Sequence, residues 1–299
     1  HVEMGVEGWM KYILRSLLFA LMVFISQLSF AQKKFAHPER VRYDGSCMTI
    51  EGKDVFVYSA AFHYFRCPEE LWKDRFRQIK EAGFNTVETY VPWNWHERTM
   101  PLSLDDTTHF DFSDLKRWLK MAQDEYGFYT IVRPGPFICA EYSGGGYPRW
   151  LAKYRPESVD DFWLRSADER HIRWSQHWFD AVCKAVADEQ ITRKPVGDKG
   201  IILIQIENEY NHHGCDGKEK LLKALYSSVR KSGMDIPVFT CLTNECRSSR
   251  DPELSQVFDS DNYYVGLSSA PDCAYRMSNL KKAQPDAPGF VTELQGGCK

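Results

Sequence analysis

The chain has 299 residues, 43% of them apolar, 14% aromatic and 26% charged, with a formal net charge of -3. That composition is globular and large enough for one sizeable domain or two small ones. Positive residues cluster in nothing longer than pairs, so nucleic acid is excluded as an expected partner. In chain order, residues 1–9 (HVEMGVEGW) read as upstream sequence. Residues 10–31 then have the pattern of a signal peptide: Lys11 and Arg15 after Met10, an apolar core from Leu17 to Ile25, and small Ser29 and Ala31 flanking Phe30. The apolar core falls well short of the ~20 residues a bilayer crossing needs. The expectation is cleavage after Ala31, export to the bacterial periplasm or medium, no membrane anchor, and a catalytic domain over residues 32–299.

Short β-rich runs alternate with helical patterns from there on. DVFVYSAAF (54–62) is strand-like. The next segment places Trp72, Phe76 and Ile79 on one helical face, with Pro68 and two glutamates at its start and Gly83 as its stop. FNTVETYVPW is a second strand. Ser113 is expected to cap a helix in which Leu115, Trp118, Leu119 and Ala122 follow the i, i+3, i+4, i+7 spacing, and FYTIVRP is a third strand. Residues 166–188 carry Trp178, Phe179, Val182 and Val186 on one face. GIILIQIENEY follows, then a helix marked by Leu222, Leu225 and Val229, then IPVFTCL, QVFDSDNYYVG and PGFVTEL as further strands. Strands alternating with amphipathic helices specify a parallel sheet, and seven β units fit an α/β fold, an incomplete (β/α)8 TIM barrel, better than an open sheet.

Nine cysteines, an odd number, include no C-x-x-C pair, and the nine histidines show no H-E-x-x-H spacing. No metal is implied. The adjacent His212 and His213 read as a solvated loop. Cys215 and Cys246 fall in loops at one rim of the barrel, where they either form a disulfide or remain two thiols.

Functional groups of a barrel sit at the C-terminal ends of its strands. IILIQIENEY (201–210) shows this directly: a continuous apolar run, as expected for a strand covered on both faces, ends in carboxylate, amide, carboxylate and phenol. Strict alternation puts Glu207 and Glu209 on the barrel side and sends Asn208 outward, unless the strand kinks at its end. Other strand ends are also acidic: Glu88 and Glu97 with Tyr90, Trp93, Asn94 and His96 after the second, Glu141 after the third and Glu293 after the seventh. A single acid of this kind is most often a rim salt bridge. Several interleaved with Trp and Tyr suit a sugar, whose hydroxyls bind carboxylates and whose apolar face covers a flat ring.

HYFRCPEELWKDRFRQIKEAGFNTVETYVPWNWHE, RPGPFICAEYSGGGYPRWL, ENEY after a strand and the late TELQGG together resemble glycoside hydrolase family 35, the β-galactosidase family, over about Val55 to Gly297. The resemblance implies catalytic acids after strands four and seven. It makes Asn208 a substrate ligand, Glu209 the general acid/base and Glu293 the nucleophile. It assigns sugar contacts to Tyr90, Cys139, Ala140, Glu141 and Glu207, and implies no cofactor. The substrate expected is a terminal β-galactosyl residue of an oligo- or polysaccharide, hydrolysed with retention, for which the two carboxyl groups stand roughly 5–5.5 Å apart. The alternatives are another terminal β-sugar, glucosamine or glucose, or a non-catalytic carbohydrate-binding barrel. Asn211, Arg98 and Cys298 depart from the family's usual glycine, proline and tryptophan. The family's eighth strand and C-terminal β domains are expected to be missing from this chain.

Overall fold

The computed structural model describes Arg15 and residues 35–154, 163–210, 217–243, 253–264 and 270–295, and its large compact unit runs from Phe35 to Lys299. The expected signal segment, Arg15 excepted, lies outside the described residues, as do residues 1–9, His212, His213, Cys215 and Cys246. Among the described residues no helix is long and apolar enough to cross a membrane.

The unit begins with a small antiparallel sheet, β1 (Val41–Tyr43), β2 (Met48–Ile50) and β3 (Lys53–Val55). Ile50 pairs with Lys53 across Glu51 and Gly52, both at positive φ (49° and 75°). That is the geometry of a two-residue hairpin, whose twist matches that of the flanking strands. This hairpin corrects the expected strand over 54–62, because β3 is captured by β2 and the first parallel strand, β4 (Ser59–Ala61), starts four residues later. At the break, the Asn85 side chain accepts from the Tyr58 amide (3.0 Å) and donates to the Phe56 carbonyl (2.8 Å), replacing ladder bonds.

Seven parallel strands follow the order expected. After β4 come α1 (Trp72–Glu81), β5 (Thr86–Tyr90), a single helical turn Trp93–His96, α2 (Ser113–Lys120) and β6 (Tyr129–Arg133). Then come α3 (Glu169–Val186), β7 (Ile201–Gln205), α4 (Lys218–Lys231), β8 (Val238–Cys241), β9 (Val257–Tyr264), α5 (Ala270–Ala283) and β10 (Val291–Gln295). Their sheet order is β10-β9-β8-β7-β6-β5-β4, every pair parallel. The two outer strands line one groove of about 630 Å³, which Phe56, Tyr58 and Leu294 also border. The sheet is therefore curled, and the fold is an incomplete (β/α)8 barrel. Ser113 is the first residue of α2 rather than its cap. The carboxylate of Asp111 accepts from the Ser113 amide (2.9 Å), a role that its full charge suits better than a hydroxyl.

The segment after β5 is fixed by a buried ion pair. Glu97 takes hydrogen bonds from Trp93 Nε1 (2.7 Å) and His177 Nε2 (2.8 Å), and its carbonyl takes one from Trp150 Nε1 (3.0 Å). The other ring nitrogen of His177 donates to the Leu104 carbonyl (2.7 Å), so both nitrogens face acceptors and the ring is held as an imidazolium. Burial opposes that charge, but the Glu97 carboxylate and the Leu104 carbonyl outweigh it and raise the His177 pKa. A raised folded-state pKa stabilises fully below the ordinary histidine range, and the contribution is lost as pH rises through the folded value. In the full-length protein, His177→Gln should therefore cost about 1.5–3 kcal/mol at pH 5.5, as for a hydrogen bond to a charged group. In urea unfolding the gap to wild type should narrow towards pH 9; a gap independent of pH would refute the ion pair.

Candidate functional site

β5, β6 and β10 deliver charged groups to one end of the curled sheet. Period-two alternation in TVETY puts Glu88 and Tyr90 on the same side, and Tyr90 pairs in register with Arg133, the last residue of β6. Arg133 is 1% exposed. Its guanidinium lies 4.0 Å from the Tyr90 ring centroid. It donates to Glu88 Oε1 (3.1 Å), Asn208 Oδ1 (3.1 Å), Glu293 Oε1 (2.9 Å) and the Gln205 side-chain oxygen. One buried cation thus ties the ends of four strands, an arrangement that is stable because each of its three nitrogens has a partner.

These contacts separate the two acids around it. Burial raises the pKa of Glu88, and the charge of Arg133 reduces but does not cancel that effect. For Glu293 burial also works upward, but the Arg133 charge and hydrogen bonds from Tyr90, Tyr264 and Arg133 outweigh it, and the carboxyl is held below its ordinary value. Tyr90 OH reaches Glu293 Oε1 and Tyr264 OH reaches Oε2 (2.7 Å). Glu293 is therefore a carboxylate with a cationic and a phenolic donor on Oε1 and a phenolic donor on Oε2.

After β7 the chain leaves the pleat. Glu207 and Glu209 both adopt left-handed φ (52° and 51°), each costing a non-glycine residue about 1–2 kcal/mol. Alternation fails at this point, and the kink turns Asn208 inward. Its Oδ1 accepts from Arg133 Nη2 (3.1 Å) and Gln205 Nε2 (3.1 Å), which fixes the amide orientation, and lies 3.3 Å from Tyr90 OH, whose hydrogen goes to Glu293. Glu207 is fully buried; its Oε2 accepts from the Asn208 amide (2.9 Å) and faces Arg165 (3.4 Å). Burial is the chief cause of its raised pKa, only partly offset by Arg165. Glu209 is half-buried, and its Oε1 accepts from Asn262 Nδ2 (2.9 Å). Asn262 is itself oriented by Thr292 Oγ1, which donates to its oxygen (2.9 Å).

The loop after β6 contains three successive left-handed residues that are not glycine: Cys139, Ala140 and Glu141, at φ 55°, 54° and 45°. The turn is closed by the Tyr142 amide on the Cys139 carbonyl (2.9 Å), and the wider loop by the Ile138 amide on the Gly145 carbonyl (2.8 Å). Gly145, at φ 60°, has no room for a Cβ, which would lie 2.0 Å from the Phe137 ring. Cys139 is a free thiol whose pKa is raised chiefly by burial. Opposite this turn stands His63. Burial, with Arg66 and Arg133 adding to it, lowers its pKa to about 3, so the ring is neutral, and its Nδ1 accepts from the Tyr90 amide (3.4 Å).

These groups line one pocket: Ala61 at the end of β4, His63 and Arg66 after it, Glu88 and Tyr90, Arg133, the Cys139–Glu141 turn, Tyr264 and Glu293. The structure thus brings together Tyr90, Cys139, Ala140, Glu141 and Glu293, with Asn208 bonded into the same network and Glu209 beside it. Glu207 is not part of the pocket wall. Arg133, Tyr264, Asn262 and His63 are site residues that sequence reasoning did not single out. For Arg133 a signal existed, an arginine ending the apolar strand YTIVR.

The sequence model of the family described as Glycosyl hydrolases family 35 matches residues 47–298. The chain is 30% identical over 288 residues to Probable beta-galactosidase B of Talaromyces marneffei, an alignment covering 86% of this chain and 27% of that protein. It is 41% identical over 125 residues to Exo-beta-D-glucosaminidase of Pyrococcus horikoshii, covering 40% of this chain and 15% of that protein. It thus spans about a quarter or less of the length of these relatives. In fold it is similar to the crystal structure of β-galactosidase from the psychrophilic Marinomonas ef1, with a TM-score of 0.56 at 10% identity, over 79% of this chain and 48% of that one.

Because the donors on Glu293 depress its pKa, removing one must raise it. Tyr264→Phe should shift the Glu293 carboxyl titration, followed by carbon-13 NMR in the full-length protein, to higher pH than in wild type. An unchanged or lower midpoint would show that the phenol does not act on this carboxylate.

Proposed function

The chain belongs to glycosyl hydrolase family 35, and on that premise we propose that the protein is an exported exo-acting hydrolase of terminal β-D-galactosyl residues that works with retention of configuration. The observation that carries this reading is the contrast between its two acids. Glu293 collects donors from Arg133, Tyr90 and Tyr264, which keep it ionised and suit it to attack the anomeric carbon. Glu209 has the neutral amide of Asn262 on Oε1 and suits the proton-transferring role.

In the first step a Glu293 oxygen bonds to the anomeric carbon as the glycosidic C–O bond breaks, and Glu209 gives its proton to the departing oxygen. In the second, Glu209, now a carboxylate, takes a proton from water, whose oxygen displaces Glu293 and releases the sugar. Arg133 and Gln205 donate to Asn208 Oδ1, and one hydrogen of its amide meets the Ile138 carbonyl (3.4 Å), which leaves the other to offer a sugar hydroxyl. Tyr90, Cys139, Ala140 and Glu141 complete the sugar pocket in this reading, whereas Glu207 braces the kink through the Asn208 amide. The signal-like segment Met10–Ala31 supports export. Similarity to a protein named as an exo-β-glucosaminidase keeps a second terminal sugar in view.

Nitrophenyl β-galactoside, β-glucosaminide and β-glucoside offered to the full-length protein decide the substrate. Galactoside should be released fastest, and preference for another sugar, or no release from any, would overturn the galactosidase reading. Glu209→Ala should lose roughly 10²–10⁴-fold in turnover of poor leaving groups, and azide should restore turnover as the β-glycosyl azide. Glu293→Ala should form no covalent intermediate, and Glu207→Ala should gain nothing from azide. Azide rescue of Glu207→Ala instead would reassign the acid/base.

A further inference from the structure

The Cys139–Ala140–Glu141 turn poses a problem that its own hydrogen bonds do not solve. Three successive non-glycine residues in the left-handed region form a conformation L-residues avoid. The Tyr142 amide closes the turn on the Cys139 carbonyl, which leaves the Ala140 carbonyl at its centre. Arg66 meets that carbonyl. Its Nη2 donates to Ala140 O from the other side of the pocket mouth, across 74 residues of sequence.

Arg66 is well placed for this. It ends the short turn Tyr64–Arg66 after β4, where Tyr64 and Phe65 are both buried and fix its backbone. Its guanidinium carbon lies 5.5 Å from the Phe65 ring centroid and 6.0 Å from that of Tyr142, and those two rings meet edge to face at 5.0 Å. The aromatic pair therefore joins the loop after β4 to the loop after β6, and the guanidinium lies over both rings while it holds the carbonyl. A planar fork stacked on rings keeps one orientation, which a flexible ammonium does not.

We infer that Arg66 is a positioning residue that latches the left-handed turn, and through it presents Ala140 and Glu141 to the sugar. This rests on the reading of the pocket as a sugar site. Arg66 acts through the backbone and takes no part in proton transfer, so its loss should appear in substrate affinity. Glycine adopts the left-handed region without strain, so Ala140→Gly should relieve one of the three strained residues and lessen the need for the latch.

The test uses Arg66→Met, Arg66→Lys and the double variant Arg66→Met/Ala140→Gly in the full-length protein, with an aryl β-galactoside. Arg66→Met should raise KM at least tenfold with kcat within threefold of wild type. Arg66→Lys should recover part of the loss, and the double variant should have a lower KM than Arg66→Met. KM unchanged in Arg66→Met, or a loss confined to kcat, would overturn the inference. So would failure of Ala140→Gly to rescue, the result expected if Arg66 itself touched the sugar. Amide hydrogen exchange at residues 140–142 gives a reading independent of turnover: at least tenfold faster in Arg66→Met than in wild type if the latch exists, and equal if it does not. If wild type hydrolyses no glycoside, the functional reading fails, and the exchange rates still decide the role of Arg66.

Discussion

The guanidinium of Arg133 is the constraint on which this site depends. A cation at 1% exposure carries a desolvation cost of several kcal/mol even after relaxation of its surroundings, and an unpaired donor would add to it. The surroundings are accordingly all acceptors or a π-face: Glu88, Gln205, Asn208, Glu293 and the Tyr90 ring. Burial disfavours the charge, but Tyr90, Glu88 and Glu293 more than restore it and raise the Arg133 pKa. Each acceptor comes from a different strand end or from the kink after β7. Satisfying one buried ion thus fixes the relative positions of the groups that would carry the chemistry, and the phenols of Tyr90 and Tyr264, which donate to Glu293 and not to Glu88, add the electrostatic asymmetry between those acids.

The barrel was legible because its central strands are buried on both faces. β7 reads as an unbroken apolar run, and such runs separated by amphipathic helices leave little choice of architecture. What stayed hidden had little pattern to betray it. β1 to β3 are three residues each, too short for alternation to register, and β3 runs close to β4 in a stretch that looks like one strand. The adjacent tyrosines of β9 illustrate a different limit. Tyr263 is 5% exposed and donates to the Cys273 carbonyl, while Tyr264, at 40%, reaches Glu293. Period two says that they face opposite ways, but only the register of β9 against β10 says which of them faces the pocket.

Asn208 shows why the acidic strand end needed coordinates. Pleat geometry alone sends it outward, between two glutamates facing in. Two left-handed residues on either side reverse this, so that Asn208 faces Arg133 and Tyr90 while Glu207 turns into the protein beside Arg165. Neither glutamate carries a sequence cue for left-handed backbone, since the residue types that ordinarily announce it are glycine and asparagine.

The strained residues concentrate where the pocket needs them. Glu207, Glu209 and the Cys139–Glu141 turn together place five non-glycine residues at positive φ around one end of the sheet. At about 1–2 kcal/mol each, the sum is comparable to the net stability of a typical domain. Such backbone persists only if its surroundings over-determine it. Here they do so through charges: Arg133 holds Asn208 between its two strained neighbours, Arg165 reaches the Asn208 carbonyl, and Arg66 reaches the Ala140 carbonyl. Guanidinium groups from different segments thus hold the strained backbone on two sides of the pocket. The geometry of the site therefore rests less on the residues that face a ligand than on the cations behind and beside them.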